Sequence, residues 1–215
     1  MAKPKTLYVC SDCGADHPQW QGQCAECGAW NTLSEFKVAS ASGKSGKPVG
    51  YAGVSASMPQ RLNQISLEKS QRRTTGFSEL DRVLGGGLVA GSTILIGGDP
   101  GAGKSTLLLQ VMAQLDARTL YVTGEESLQQ VSLRARRLEV VSDSLQLLAE
   151  TAVETIIEHA QQSGARVLVI DSIQTMFAED VESSPGSASQ VRESAAALVR
   201  FAKASGVSVL IIGHV

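Results

Sequence analysis

Aromatic side chains make up only 4% of the 215 residues, which argues against a protein built on base-stacking platforms. Neither sign of charge is in excess. Nineteen basic and 21 acidic residues leave a net charge of −2, so any contact with nucleic acid or anionic lipid must use a local patch. No apolar run approaches the ~20 residues that a membrane-spanning helix needs. The opening Met1-Ala2-Lys3-Pro4-Lys5 carries charge with no apolar stretch behind it, which argues against a signal peptide and for the cytoplasm. After Cys27 there is no cysteine at all. Cysteines confined to one short stretch point to a bound metal in a reducing compartment rather than to disulfides.

The rest of the composition supports a real core, since 43% of residues are hydrophobic. Three zones follow: a four-cysteine module over residues 1–36, a linker over 37–62 and an α/β domain over 63–215. The linker is rich in Ser, Ala, Gly and Lys, as in Ala39-Ser40-Ala41-Ser42-Gly43-Lys44, and has too little apolar surface to order itself. In the third zone short apolar strands are expected at Thr93–Ile96, Thr119–Thr123, Leu145–Leu148, Val167–Asp171 and Val207–Ile212. Helices are expected near Ser105–Leu115, Ser127–Arg137, Val153–Gln162 and Ser189–Ser205, with Ser127 and Gln130 as a capping box. Such alternation implies a mostly parallel sheet with helices on both faces. The chain ends on a buried-type strand, Ser208–Val215, and a chain that stopped there would leave a sheet edge bare; a longer parent protein is the expectation.

The cysteines fall into two pairs, Cys10-x-x-Cys13 and Cys24-x-x-Cys27, and each pair can deliver two thiolates from one tight turn. Four thiolates suit a tetrahedral, closed Zn²⁺ site of structural type. Gly14 and Gly28 follow the second cysteine of each pair, where the turning backbone favours positive φ. A redox role for the pairs is the alternative, and it lacks the surrounding βαβ pattern. His17 is a weaker candidate ligand. Trp20 and Trp30 are expected to pack over the site, the alternative being that they present a surface.

Gly98-Asp99-Pro100-Gly101-Ala102-Gly103-Lys104-Ser105 fits G-x-x-x-x-G-K-[ST], with Thr106 next. Little side-chain bulk there lets backbone N–H groups converge on phosphate oxygens. Lys104 can reach the β- and γ-phosphates of ATP, and the Ser105 hydroxyl can ligate Mg²⁺. An apolar strand precedes the motif and a helix follows it, so the helix N-terminus faces the anion. Asp171 ends the apolar run Val167–Ile170 and is the expected second Mg²⁺ ligand; the bland reading makes it a turn cap. Glu125 and Glu126 follow a strand expected to neighbour the phosphate loop. Glu125 is the expected base for the attacking water, with Glu126 as its partner or substitute. Alternatively both are helix-N-terminal charges. His214 is either a γ-phosphate sensor or an ordinary strand-end histidine.

Taken together, these residues resemble the RadA (also called Sms) family of bacterial DNA repair proteins. The resemblance runs through Trp20-Gln21-Gly22-Gln23-Cys24, Thr75-Gly76-Phe77-Ser78-Glu79-Leu80-Asp81-Arg82, Tyr121-Val122-Thr123-Gly124-Glu125-Glu126-Ser127, Ser183-Ser184-Pro185-Gly186-Ser187 and Gly213-His214-Val215. It implies a RecA-like P-loop ATPase core, here lacking its C-terminal part, that forms hexameric rings on single-stranded and branched DNA. It also implies branch migration beside RecA recombinase, a Lys-Asn-Arg-Phe-Gly motif and a Lon-like C-terminal domain, neither of which this sequence contains. A RecA-like fold puts a DNA-binding loop at Met176–Gln190. Because Glu179, Asp180 and Glu182 make that loop acidic, Arg192, Arg200 and Lys203 on the next helix are the better candidates for DNA phosphate. Arg134, Arg136 and Arg137 read as a solvated face. The competing functions are a nucleotide-switched regulator like the clock ATPase KaiC and a DnaB-like replicative helicase, both without a cysteine-bearing head.

Overall fold

A computed structural model describes residues 5–38, 61, 63 and 72–214. Most of the expected linker, residues 39–60 and 62, lies outside the described residues. The N-terminal module is a three-stranded antiparallel sheet of order β2-β1-β3, with β1 at Lys5–Cys10, β2 at Asp16–His17 and β3 at Leu33–Val38. Reading the sequence for cysteine turns alone missed these strands, because their short alternation is too brief to register beside the turns. Among the side chains described there, Cys10, Cys24 and Leu33 are buried together, with Tyr8 and Ala15 partly covered.

The larger unit is a five-stranded sheet of order β4-β8-β7-β5-β6, and every pairing in it is parallel. Its strands are β4 Thr93–Gly98, β5 Thr119–Thr123, β6 Leu145–Ala149, β7 Val167–Asp171 and β8 Ser208–His214. The helices are α1 Ser78–Val83, α2 Lys104–Gln114, α3 Leu128–Arg137, α4 Val153–Gln162 and α5 Ala188–Ser205. Alternate residues of each central strand point to opposite faces. Tyr121, Val167, Val169, Leu210 and Ile212 therefore meet Leu108, Val111 and Met112 of α2 and Val131 of α3. Leu120, Val122, Leu168, Ile170, Val209 and Ile211 meet Ile156 of α4 and Leu198 and Phe201 of α5 on the other side. Both faces are thus dry, which explains the unbroken apolar runs.

Two sequence expectations change here. Strand β8 is paired on both sides, to β4 and β7, so the open edge next to it belongs to β4, where Leu95 is 67% exposed. Strand β5 does not neighbour the phosphate-loop strand; β8 and β7 stand between them. The short α1 and a 3₁₀ turn at Ile173–Thr175 were also not anticipated. Helix α3 starts as expected, for Ser127 caps it: its Oγ accepts from Gln130 N at 3.3 Å, and its N–H donates to Gln130 Oε1 at 2.8 Å.

The turn after β5 is pressed onto the turn after β7. Gly124 N–H donates to Asp171 O at 2.9 Å, and a Cβ on Gly124 would lie 2.1 Å from Thr175 Oγ1 and 2.9 Å from Thr175 Cβ. Only glycine permits this approach. Gly124→Ala is expected to lower stability by about 1–3 kcal/mol, the usual cost of an unaccommodated methyl, with urea unfolding monitored by circular dichroism as the measurement.

Candidate functional site

Because the five strands run parallel, the turns after β4, β5 and β7 and the last residue of β8 emerge at one edge of the sheet, where ligands bind in open α/β folds. Residues 98–105 close the first of these turns. Gly103, at φ 84°, is the N-cap of α2 and offers no side chain, so that helix end is left for an anion. Cβ atoms at Gly101 and Gly103 would meet nothing within 4 Å, which marks an open cradle above the loop. Lys104 is buried and donates from Nζ to Gly98 O at 2.6 Å and to Asp99 O at 2.7 Å. Its ammonium is thereby held across the mouth of the cradle. An open, glycine-lined cradle with one fixed cation fits a phosphate chain.

Opposite the loop the carboxylates are sorted by partner. Asp171 ends β7, and its Oδ2 accepts a hydrogen bond from the Tyr121 hydroxyl. Burial, then the charge of Asp171 and that hydrogen bond, raise the pKa of Tyr121 far above the ordinary phenol value, so it stays a donor. Glu126 forms an ion pair with Arg134 of α3. Arg134 is therefore not part of a solvated basic face, although Arg136 and Arg137 are exposed as expected. Glu125 has other partners: Ser172 Oγ donates to its Oε1 at 2.5 Å, and His214 Nε2 lies 3.6 Å from the same oxygen. The Glu125 side chain thus crosses β7 to meet the end of β8. That reach, and not strand adjacency, brings it to the phosphate-loop side of the sheet. Gln174 Nε2 fixes the turn by donating to His214 O at 3.1 Å.

Ser105 opens α2 on the loop, and Asp171 and Ser105 have hard oxygen donors of the kind Mg²⁺ takes. Sequence reasoning missed Tyr121 and Ser172. Both sit beside motif residues, but their contacts depend on strand register that local pattern does not reveal.

The loop after β7 is tied down. Buried Gln190 of α5 accepts from Ala178 N at 2.9 Å and donates to Val181 O and Ser183 O, each at 2.9 Å. Arg192, Arg200 and Lys203 are exposed on α5, and Arg192 lies 3.5 Å from Glu193. Spread over three turns of helix, they form a row rather than a pocket.

In the N-terminal module the four Sγ atoms lie within 4.8 Å of one another. Cys10–Cys27 and Cys13–Cys24 are 3.7 and 3.6 Å apart, close to the ~3.8 Å edge of a tetrahedron with ~2.3 Å Zn–S bonds. Gly14 and Gly28 adopt φ of 75° and 73°. His17 is not a fifth sulfur-shell member; it is buried, with Nε2 3.4 Å from Cys24 Sγ. The backbone N–H of Cys27, with help from His17, lowers the Cys24 thiol to about 6. Against the pull of the Ala15 N–H, desolvation and the neighbouring thiols push Cys13 up to about 12. Four thiolates this close repel, and a cation removes that obstacle. Contrary to expectation, neither tryptophan covers the cluster: Trp20 and Trp30 are 57% and 68% exposed, and Trp30 rests near Gly22.

Comparison with known proteins adds two matched families. An AAA domain matches residues 59–215, and a rubredoxin metal binding domain matches residues 8–35. The chain is 57% identical to the DNA repair protein RadA of Pseudomonas aeruginosa over 217 residues, covering 100% of this chain and 48% of the relative. With the RadA proteins of Escherichia coli and Bacillus subtilis the identities are 55% and 44%, again over 100% of this chain and 48% of the relative. The chain thus spans about half the length of the curated relatives it matches. Among the described residues no helix is long and apolar enough to cross a membrane.

Metal loading should follow thiol chemistry. Cys24→Ser is expected to lose stoichiometric zinc, and the unsubstituted chain should release zinc as pH falls, because ligand thiolates must take up protons. Metal analysis after gel filtration at neutral and acidic pH measures both.

Proposed function

The chain belongs to the AAA-domain family, and on that footing we propose that it is the nucleotide-hydrolysing part of a DNA-dependent ATPase in recombinational DNA repair. The observation that supports the reading is that the phosphate loop, with Lys104 bonded to its carbonyls, emerges at the same sheet edge as Asp171 and the turn that carries Glu125. Gly98, Asp99, Pro100, Gly101, Ala102, Gly103, Lys104, Ser105 and Thr106 form the ATP cradle. Loop N–H groups and Lys104 hold the β- and γ-phosphates. Ser105 and Asp171 hold Mg²⁺, which supplies charge neutralisation on the phosphate oxygens.

Glu125 is the base in this proposal. It accepts a proton from a water whose oxygen bonds to the γ-phosphorus, while the bond from that phosphorus to the bridging oxygen of ADP breaks. Glu126, committed to Arg134, positions the turn instead. His214, beside Glu125, is suited to sense the γ-phosphate.

The wider reading rests on the RadA resemblance: a cytoplasmic homo-hexamer acting on single-stranded and branched DNA, promoting branch migration with RecA. Arg192, Arg200 and Lys203 contact DNA phosphates in this account. Zinc at Cys10, Cys13, Cys24 and Cys27 folds the head, and with four thiolates it leaves no open position for catalysis.

Two substitutions test the site. Lys104→Ala should weaken ATP binding by about ten- to a hundredfold, the worth of a charge-assisted hydrogen bond. Glu125→Gln should bind ATP normally yet lose about 10²–10⁴ in kcat. Equilibrium binding of labelled ATP and phosphate release are the measurements, and wild-type turnover by Glu125→Gln would remove the base assignment. Stimulation of the complete protein's ATPase by single-stranded DNA is expected; indifference to DNA would favour a nucleotide-switched regulator.

A further inference from the structure

We propose that Tyr121 is a positioning residue for the divalent cation: its hydroxyl, donating to Asp171 Oδ2 from inside the sheet, presets the carboxylate that with Ser105 receives the metal. The inference rests on the ATP–Mg²⁺ reading above and adds to it a residue outside both nucleotide motifs.

The meeting of these groups follows from strand periodicity. In β7, Val167, Val169 and Asp171 share one face, and Tyr121 is registered opposite Val169. That face packs on α2, whose second residue is Ser105. The Tyr121 ring fills the space among Leu108, Met112 and Val131 at 0% exposure. Packing alone would be met by phenylalanine. A buried hydroxyl instead needs a partner, and this one finds the single carboxylate on its face.

The type of partner matters. An arginine beside Asp171 would neutralise it and compete with a cation, as Arg134 does for Glu126. A phenol fixes one carboxylate oxygen and leaves the negative charge in place, with the second oxygen for the metal. Hydrogen bonds of this outer kind orient metal ligands, and their loss typically costs about 10–100-fold in metal affinity.

The test is the Mg²⁺ dependence of binding of N-methylanthraniloyl-ATP, followed by fluorescence, in the full chain and in Tyr121→Phe. The substitution is expected to raise the half-saturating Mg²⁺ concentration about tenfold while leaving binding in EDTA at the wild-type level. An unchanged Mg²⁺ midpoint in a folded variant would overturn the proposal, as would an equal loss with and without Mg²⁺, which marks mere packing. Should Tyr121→Phe not fold, ¹⁹F NMR decides. The chain has three tyrosines, so in 3-fluorotyrosine-labelled protein Tyr8→Phe and Tyr51→Phe identify the Tyr121 signal. That signal should shift when Mg²⁺ joins bound nucleotide, and a stationary signal overturns the proposal. Absence of nucleotide binding by the unsubstituted chain would instead sink the ATP reading and this inference with it.

Discussion

Strand β7 lies between β5 and β8, and its register against both fixes every chemical group at the sheet edge. Thr123 is opposite Asp171, Val122 opposite Ile170, and Ile170 opposite Ile211. A slip of two residues would keep the faces but move Asp171 by ~7 Å, far from the Tyr121 hydroxyl. A slip of one would turn its side chains to the opposite face. Both are resisted by burial: Val167, Leu168, Val169 and Ile170 are wholly covered, each fully buried side chain contributing about 1.5–3 kcal/mol relative to exposure. Hydrophobic packing thus sets the position of a carboxylate it never touches.

Three carboxylates at one edge would repel one another and any incoming triphosphate, so their partners decide what each can do. Glu126 has an arginine and is electrically spent. Asp171 has a hydroxyl donor, Tyr121, which holds geometry without cancelling charge; Glu125 has the Ser172 hydroxyl and, 3.6 Å away, the His214 ring. Lys104, bonded to two loop carbonyls, supplies the opposing field from across the cradle. The difference in partners therefore separates an acid paired to a guanidinium from two that keep hydroxyl donors.

The parallel α/β core and its cradle were legible in sequence because each rests on local pattern. The run Val167–Ile170 is apolar throughout since β7 is covered on both faces, and glycine spacing alone marks the turn into α2. What escaped depends on distant pairing. Tyr121 looked like one more core residue of an apolar strand; its hydroxyl meets a partner fifty positions away. Arg134 looked like surface charge on a helix, because its acid lies in the preceding turn rather than one helical turn along. The place of β8 between β4 and β7 was hidden for the same reason, since chain order does not encode strand order. The exposed tryptophans erred in the other direction: large aromatic area near a cysteine cluster suggested a lid, but both rings face outward, clear of the buried Cys10, Cys24 and Leu33.

That small buried set also explains why the head and the sheet draw on different sources of stability. The sheet has two continuous apolar layers, one on each face. Among the described residues the head shows one small buried cluster, Cys10, Cys24 and Leu33, beside its two antiparallel strand pairings. Metal ligation, worth about 10–16 kcal/mol in zinc-finger peptides, would add a folding contribution that the sheet does not have. The two φ-positive glycines and the N–H groups aimed at Cys24 shape the turns so that the thiolates converge before the cation is counted. The head thus has a four-thiol cluster at its centre, whereas the sheet edge is built on two layers of apolar packing.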